Sequence, residues 1–285
     1  MIMIDKYEEL KKIGEELLAV DANKPRYFAE KAPASPSRKQ VVRIIEAMQY
    51  LMFSDYFELG DEKKIGYTER LESLFDMLKM QISSAYSFQG KSDIVDTESI
   101  ALDILRRLPD IKDLLIKDVQ AIYEGDPAAL SPEEVILSYP GFLAISIYRI
   151  AHEFYLRKIP YISRMMTEYA HEKTGVDIHA GATVGEYFCI DHGTGVVIGE
   201  TATIGDRVKI YQGVTLGAKS FELDSDGNPI KGIKRHPNIG NNCIIYANAT
   251  ILGGNTYIGD GCIIGAGVWV TKSVEPGTTV YYGNK

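Results

Sequence analysis

Two patterns of apolar residues divide the chain near residue 175. Before it, apolar residues recur at spacings of three and four, as in Val41, Ile44 and Ile45, and this spacing predicts amphipathic helices. The predicted helices cover about 4 to 20, 37 to 57, 62 to 88, 97 to 124 with a break near Pro109, 131 to 138, and 140 to 173. The stretch from Pro25 to Pro36, with three prolines, predicts a linker between the first two.

After residue 175 a six-residue repeat replaces the helical pattern. Of the 26 glycines, 20 lie from Gly175 onward. An aliphatic residue recurs with eight of 11 intervals equal to six, at Val184, Ile190, Ile198, Ile204, Ile210, Leu216, Ile239, Ile245, Ile251, Ile258, Ile264 and Val270. Such a repeat is typical of a parallel β-helix, in which each short strand points one aliphatic inward and three strands close a coil. The pattern predicts an α+β chain, with an all-helical domain over residues 1–175 and a β-helix over 176–285.

Composition narrows the classes of function. With 31 Lys plus Arg against 39 Asp plus Glu, the net charge is −8, which argues against a nucleic-acid or membrane-surface binder. No apolar stretch approaches the roughly 20 residues that span a bilayer, and the first residues do not resemble a signal peptide. The cysteines, Cys189, Cys243 and Cys262, are odd in number and lack CxxC spacing, so we expect reduced packing residues and a cytoplasmic location.

The candidate chemistry lies where the repeat is interrupted. The eight-residue interval holds Asp191-His192-Gly193-Thr194-Gly195, and the 23-residue interval holds an excursion loop at about 218–236, ending in Arg235-His236. Asp177-Ile178-His179 lies just upstream. Insertions in a solenoid map to loops, often on the binding face. Three of the five histidines lie at these places among small residues, and we expect all three to be exposed.

The segments VDIHAGATVGEYFCIDHGTGVVIGETATIG, YQGVTLGA and KRHPNIG resemble the serine acetyltransferases among the hexapeptide-repeat acyltransferases. The resemblance runs from about Gly125 to Val280 and includes GDPAA and YPGFLAISIYRIAH. It implies a left-handed β-helix and transfer of an acetyl group from acetyl-CoA to the hydroxyl of L-serine. The product is O-acetyl-L-serine, a precursor in cysteine biosynthesis, and no metal is expected.

His192 is the candidate general base. A serine hydroxyl is a poor nucleophile, so its transfer chemistry needs a base that titrates near neutral pH, and imidazole does. Direct attack on the thioester then needs no covalent enzyme intermediate. Asp177 lies 15 residues earlier, close to one coil, so it is placed to stack beneath His192, and the resemblance implies that it orients the imidazole. An ordinary cap at the start of the β-helix is the other interpretation of Asp177.

An amino-acid substrate needs counter-charges for its ammonium and its carboxylate. The resemblance implies that Asp126 and Asp191 bind the ammonium, and that Arg235 binds the carboxylate with His236 beside it. Arginine suits this role because its planar fork can hold a carboxylate with two hydrogen bonds. Glu200 matches a family position near the site.

The thioester oxyanion needs backbone N–H donors, and the turn at Gly217 and Ala218, where the repeat breaks, offers them. The resemblance implies that the pantetheine arm of CoA runs along the coil edges near Ala218, Ala247 and Ala266. Small side chains at these positions also satisfy the packing of a β-helix.

The resemblance further implies a homotrimer with each site between neighbouring subunits, and allows a dimer of trimers joined by the helical domains. It allows feedback inhibition by L-cysteine, which would occupy the serine pocket. Two departures stand out: the excursion is longer than usual, and the chain ends at YYGNK without the extended tail ending in Ile. We therefore do not expect a complex with cysteine synthase.

Three other functions stay open at this point. A hexapeptide acetyltransferase for a sugar, an antibiotic or homoserine would share the fold and the histidine, with less use for Asp126, Asp191 and Arg235 together. A γ-type carbonic anhydrase would need three closely spaced metal-binding histidines, whereas His179, His192 and His236 spread over 57 residues. A non-enzymatic scaffold would keep the coils without the chemistry.

Overall fold

The computed structural model describes residues 6–22, 35–57, 65–91 and 95–281. The predicted linker from Pro25 to Pro36 lies largely outside the described residues. The end of the chain, on which the expectation for cysteine synthase rests, also lies outside them.

Helices build the first part of the described chain. They are α1 (Lys6–Ala22), α2 (Arg38–Met52), α3 (Tyr67–Phe88), α4 (Thr97–Arg106), α5 (Leu108–Gly125), α6 (Pro132–Ser138), α7 (Pro140–Leu156) and α8 (Ile162–Thr174). The prediction of one helix from 140 to 173 is wrong, because the chain breaks between α7 and α8. Pro160 has no backbone N–H there, and Lys158 and Tyr161 have φ of 54° and 63°, outside the right-handed helical region.

The helices end at Thr174, and strands begin three residues later. Gly175 adopts a left-handed conformation with φ of 70°, and its N–H donates to the His171 carbonyl at 2.8 Å. Glycine at this position is a common helix stop, because it has no Cβ to clash in that conformation.

Fourteen short strands follow in the described chain. They are β1 (Asp177–Ile178), β2 (Thr183–Val184), β3 (Cys189–Ile190), β4 (Val197–Ile198), β5 (Thr203–Ile204), β6 (Lys209–Ile210), β7 (Thr215–Gly217), β8 (Asn238–Ile239), β9 (Ile244–Ile245), β10 (Thr250–Leu252), β11 (Tyr257–Ile258), β12 (Ile263–Ile264), β13 (Trp269–Val270) and β14 (Thr279–Val280). Each strand pairs in parallel with the strand three places later, except that β14 pairs with β12. The first sheet is β1-β4-β7-β10-β13, the second β2-β5-β8-β11 and the third β3-β6-β9-β12-β14. The chain therefore winds as a three-sided β-helix.

The repeat aliphatics fill the interior of this β-helix. All of them are buried except Val184, which is half-buried. Cys189, Cys243 and Cys262 are also buried and unpaired, and burial raises the pKa of Cys189 to about 12. These thiols thus serve as packing groups.

Two edges of the three-sided β-helix matter for function. The His192 corner comprises the turns from the third sheet to the first, at 191–196, 211–214, 246–249 and 265–268. The Arg235 corner comprises the turns that follow the first sheet, at 179–182, 199–202, 218–237, 253–256 and 271–273. Within each corner, successive turns lie above one another along the axis.

No single described helix is long and apolar enough to cross a bilayer. The consecutive helices α6 and α7, bent by 75°, satisfy the length and composition criteria only when taken together.

A buried ion pair fastens the helices to the β-helix. Arg149 of α7 donates to both carboxylate oxygens of Asp118 on α5, at 2.5 and 2.8 Å. Asp118 also accepts from the Phe188 N–H at 2.9 Å, and Arg149 donates to the Gly185 carbonyl at 2.8 Å. One network therefore ties two helices to the first coil.

We predict that Arg149→Met destabilises the protein by about 3–5 kcal/mol, because it leaves the Asp118 carboxylate buried without its cation. Chemical denaturation measures the change. Arg106→Met, which breaks the exposed pair with Asp103, is the matched control and should cost about 0–1 kcal/mol. The double variant Asp118→Leu/Arg149→Met should recover part of the loss; equal losses in the Arg149 and Arg106 variants would contradict this account.

Candidate functional site

His192 lies in the turn after β3, with its imidazole ring directed toward solvent. The residue has φ of 57° and is followed by Gly193 with φ of 88°, so two successive residues adopt the left-handed conformation. Such a conformation is uncommon for a non-glycine residue and recurs at functional sites. The side chain is 71% exposed. The imidazole is thus open to a ligand.

A cavity of about 380 Å³ brings three predicted site residues together. Asp126, Asp191 and His192 all line it. The Nε2 atom of His192 lies 3.8 Å from Oδ1 of Asp191, whose side chain is only 10% exposed. The remaining wall consists of Ser138, Tyr139, Pro140, Gly141, Ile190 and Thr194. The helical part and the β-helix therefore both contribute to one cavity.

Asp126 caps the end of α5 and is held by two donors. It accepts from the Tyr139 hydroxyl at 2.7 Å and from the Ala128 N–H at 2.8 Å. These hydrogen bonds, Tyr139 first, hold the pKa of Asp126 below its usual value, and the same bond raises the pKa of Tyr139 to about 12. The carboxylate is therefore ionised at neutral pH. Sequence reasoning missed Tyr139, although it opens the YPGF segment beside the site.

Asp177 is not hydrogen-bonded to His192 among the described residues. It begins β1, half-buried, and pairs in register with Val197 of β4. Burial lowers the pKa of His179, and the nearby charge of Asp177 acts in the opposite direction. The role of Asp177 as the partner of His192 stays a prediction.

Arg235 and Glu200 form an ion pair at the other corner. Nη2 of Arg235 lies 2.5 Å from Oε2 of Glu200, and the Tyr155 hydroxyl donates to the other oxygen at 3.1 Å. Burial acts to raise the pKa of Glu200, but the hydrogen bonds from Arg235 and Tyr155 outweigh it, so the pKa is lowered. Glu200 thus orients the guanidinium. Tyr155, on α7, was hidden among the apolar positions of its helix.

The expectation that all three histidines would be exposed is correct for His192 only, because His179 is half-buried and His236 is buried. His236 is 7% exposed. A Cβ on Gly199 would overlap its ring, so the glycine leaves the space that the imidazole fills. Gly199 lies one coil away, and this is why the residues next to His236 in sequence gave no sign of its burial.

Thr201 fixes which nitrogen of His236 carries the proton. The Thr201 N–H donates to Nδ1 at 3.0 Å, and its hydroxyl oxygen is 2.9 Å from the same atom. That oxygen also accepts from the backbone N–H groups of Arg235 and His236 at 3.0 and 3.1 Å, so its own hydrogen is directed to Nδ1. Burial, then Arg235, lowers the pKa of His236 to about 4. The ring is neutral at pH 7 and presents Nε2–H as a donor.

The two clusters occupy different corners of one chain, with β4 between them. The predicted CoA-binding residues divide in the same way. Ala247 and Ala266 lie on the His192 corner, where the Ala247 carbonyl accepts from the Gly267 N–H at 2.9 Å. Gly217 ends β7, and Ala218 begins the excursion at the Arg235 corner. Within the described chain, the Ala218 N–H donates to no acceptor.

The excursion forms a short antiparallel turn, with Leu223 bridging to Pro229. Between it and the coils lies a cavity of about 280 Å³ whose wall carries four cationic side chains, Lys219, Lys234, Arg235 and Lys272, and one acidic side chain, Glu222. Burial lowers the pKa of Lys234. This concentration of positive charge contrasts with the net charge of −8 for the chain.

The three histidines considered as metal ligands are engaged differently. Nδ1 of His179 accepts from the Gly181 N–H at 3.0 Å, and His192 lies on a different corner from His179 and His236. Over the described ranges, no group of three or more His, Cys, Asp or Glu side chains is arranged to hold a metal ion.

Family models match both parts of the chain. Residues 236–272 match the bacterial transferase hexapeptide model, which has six repeats. Together with the coiled parallel strands, this match points to the hexapeptide-repeat transferases. Residues 68–146 match the N-terminal model of serine acetyltransferases.

Curated relatives carry the same name. The chain is 42% identical over 259 residues to a plasmid serine acetyltransferase of Synechococcus elongatus, covering 86% of this chain and 81% of that one. It is 45% identical over 167 residues to the serine acetyltransferase of Bacillus subtilis, covering 59% and 72%. The chain belongs to the serine acetyltransferase family.

The solved structures that resemble this chain are also serine acetyltransferases. Serine acetyltransferase 1 of Entamoeba histolytica in complex with L-cysteine superposes with a TM-score of 0.74 at 34% identity, covering 95% of this chain and 97% of that one. The Neisseria gonorrhoeae enzyme in complex with serine gives a TM-score of 0.58 at 30% identity, covering 85% and 96%. The predicted fold, with its left-handed β-helix, and the predicted activity, acetylation of serine in cysteine biosynthesis, are confirmed.

We predict that Thr201→Val lowers kcat/KM for serine about tenfold, whereas Thr201→Ser stays near the parent value. Valine removes the hydroxyl donor to Nδ1, although the backbone N–H of residue 201 still donates there, and it leaves two backbone N–H groups without acceptors, at a cost of about 1–3 kcal/mol for such groups. Steady-state kinetics with varied serine measures the effect. Equal losses in the two variants would show that the hydroxyl does not orient His236.

Proposed function

We propose that this enzyme takes its acetyl group from acetyl-CoA and transfers it directly to the hydroxyl of L-serine, with His192 as the general base. The observation that carries the proposal is the cavity in which an exposed histidine stands beside two carboxylates, those of Asp126 and Asp191. Two acids suit an ammonium group, and the histidine then lies within reach of the neighbouring hydroxyl.

The reaction proceeds through attack on the thioester. As the serine oxygen forms its bond to the acetyl carbon, Nε2 of His192 takes the hydroxyl proton. The carbon–sulfur bond then breaks, and the same proton passes to the CoA thiolate. Asp177 stabilises the transient imidazolium in this scheme, which requires its carboxylate to turn toward His192 from the outer face of the first sheet.

The other corner holds the carboxylate of serine and the acetyl donor. The Glu200-oriented guanidinium of Arg235 and the Nε2–H of His236 together offer donors to the serine carboxylate. The Ala218 N–H, with Gly217 before it, stabilises the oxyanion.

CoA lies along the coil edges in this proposal. Its pantetheine arm follows the small residues Ala218, Ala247 and Ala266, and its phosphates match the cationic cavity beside the excursion. No metal takes part.

We infer that a site is completed by a neighbouring copy. In one chain, His192 and Arg235 lie on corners separated by a full side of the β-helix. Three such prisms around a threefold axis place the His192 corner of each copy beside the Arg235 corner of the next. The enzyme is thus a homotrimer, and the helical domain, which carries Asp126 into the site, offers a surface for joining two trimers.

L-cysteine is a feedback inhibitor in this proposal. The Entamoeba histolytica relatives were crystallised with cysteine, and the Neisseria gonorrhoeae relative with serine. The two amino acids differ only in a thiol for a hydroxyl, so both fit the same ammonium and carboxylate contacts. We place the enzyme in the cytoplasm, where both L-serine and L-cysteine would be available to bind.

The proposal is tested by the release of CoA thiol from acetyl-CoA with L-serine, L-homoserine or a panel of sugars as acceptor. We expect release with L-serine and little with the others. Release with a different acceptor alone would leave His192 as base and overturn the assignments of Asp126, Asp191 and Arg235.

Two single variants separate chemistry from binding. His192→Ala should lower kcat by at least about 10²-fold, because a general base contributes about 10²–10⁴-fold in rate. Arg235→Ala should instead raise the serine KM most strongly. Size-exclusion chromatography with light scattering checks that assembly is unchanged in both.

Mixing these two variants tests the shared site. When the variants are co-folded in equal amounts and assayed near the parental serine KM, about a quarter of the sites pair an intact His192 with an intact Arg235. Activity should therefore recover to about a quarter of the parental value. Activity equal to the mean of the two separate variants would place each site within one chain.

A further inference from the structure

Lys209 lies behind the wall of the cavity that Asp126, Asp191 and His192 line. It sits on β6, which pairs with β3, and its side chain is 16% exposed. Its Nζ atom is 3.0 Å from Oδ2 of Asp191 and donates to the Gly125 carbonyl at 2.6 Å. Nζ also lies 4.5 Å from the centroid of the Tyr211 ring. One ammonium thus contacts an acid of the cavity and the residue just before Asp126.

We propose that Lys209 is a positioning residue that fixes Asp126 and Asp191 relative to each other, so that both carboxylates face one substrate ammonium. The inference rests on the proposed function, in which these acids bind the ammonium of serine. Asp191 follows β3 in the β-helix, whereas Asp126 ends α5 in the helical part, so their separation depends on a link between the two parts.

The chemistry of this link suits lysine. Gly125 is the last residue of α5, where carbonyls lack intrahelical partners and the helix dipole is negative. An ammonium has three donors and can satisfy that carbonyl and a carboxylate at once. Glycine at 125 leaves room beside the buried Cys189, because a Cβ there would lie only 3.3 Å from Cys189 Sγ. Burial acts to lower the pKa of Lys209, but its contacts with Tyr211 and Asp191 outweigh it, so the pKa is raised and the side chain stays charged.

Two effects of removing Lys209 oppose each other. Loss of its positive charge would by itself favour the substrate ammonium and lower the serine KM. Loss of the link would let Asp191 and the end of α5 move apart and raise the serine KM. Because the Asp191 carboxylate lines the cavity while Lys209 does not, we expect the positional effect to dominate.

The test compares Lys209→Met with Lys209→Arg in the full-length enzyme. Methionine keeps the length and removes the donors, so the serine KM should rise about tenfold, with kcat within about twofold and the acetyl-CoA KM unchanged. Arginine retains the charge and the donors and should restore most of the serine affinity. Lys117→Met is the matched control, since Lys117 also joins α5 to the β-helix, through Glu186 at 2.6 Å, away from the cavity.

Each outcome decides the proposal. A lowered or unchanged serine KM in Lys209→Met, equal damage to both substrates, or an arginine variant no better than methionine would overturn it. A similar KM rise in Lys117→Met would assign the effect to general loosening of α5. Thermal unfolding verifies the fold, and Lys209→Gln replaces the methionine variant if that does not fold. Failure of the proposed function would appear separately, as absence of serine-dependent thiol release by the parent enzyme.

Discussion

The narrow interior of the β-helix is the constraint on which the rest of the molecule depends. Each side of a coil admits one aliphatic side chain, and parallel pairing keeps the coils in register, so residues far apart in sequence stack on one edge. Thr203 thus pairs with Asn238, 35 positions later. Polar residues excluded from the interior collect at the corners, where rigid turns hold them. The candidate site residues lie at two of these edges, the His192 corner and the Arg235 corner.

The repeat could be recognised from sequence because every coil solves the same packing problem with the same kind of residue. The helices were also predictable where a helical stripe met a clear stop, as at Gly175. The break between α7 and α8 was missed, because it depends on left-handed conformations at Lys158 and Tyr161 that no local composition requires. The ends of a helix can be predicted from sequence when a local residue, such as a glycine or a proline, causes them.

The site was predicted in its residue types more fully than in its geometry. Asp126, Asp191 and His192 line one cavity, and their roles there stay predictions; the sequence could not show that Arg235 and His236 lie at another corner. Two tyrosines that donate to the acids were missed: Tyr155 lies among helix positions that packing alone explains, and Tyr139 lies between two helices, where its partner Asp126 is 13 residues away. Contacts between separate elements, such as Tyr155 with Glu200, leave no spacing signal in either one.

The excursion between β7 and β8 has a consequence for how such enzymes diversify. Twenty residues leave the coil after Gly217 and return at Asn238, and the strands below and above still pair in register. The axial position of every later turn is therefore independent of the length of that segment. Natural selection can lengthen, shorten or recharge the loop at the Arg235 corner while the His192 corner, on another side of the prism, keeps its geometry. The two corners can thus evolve at different rates within one chain.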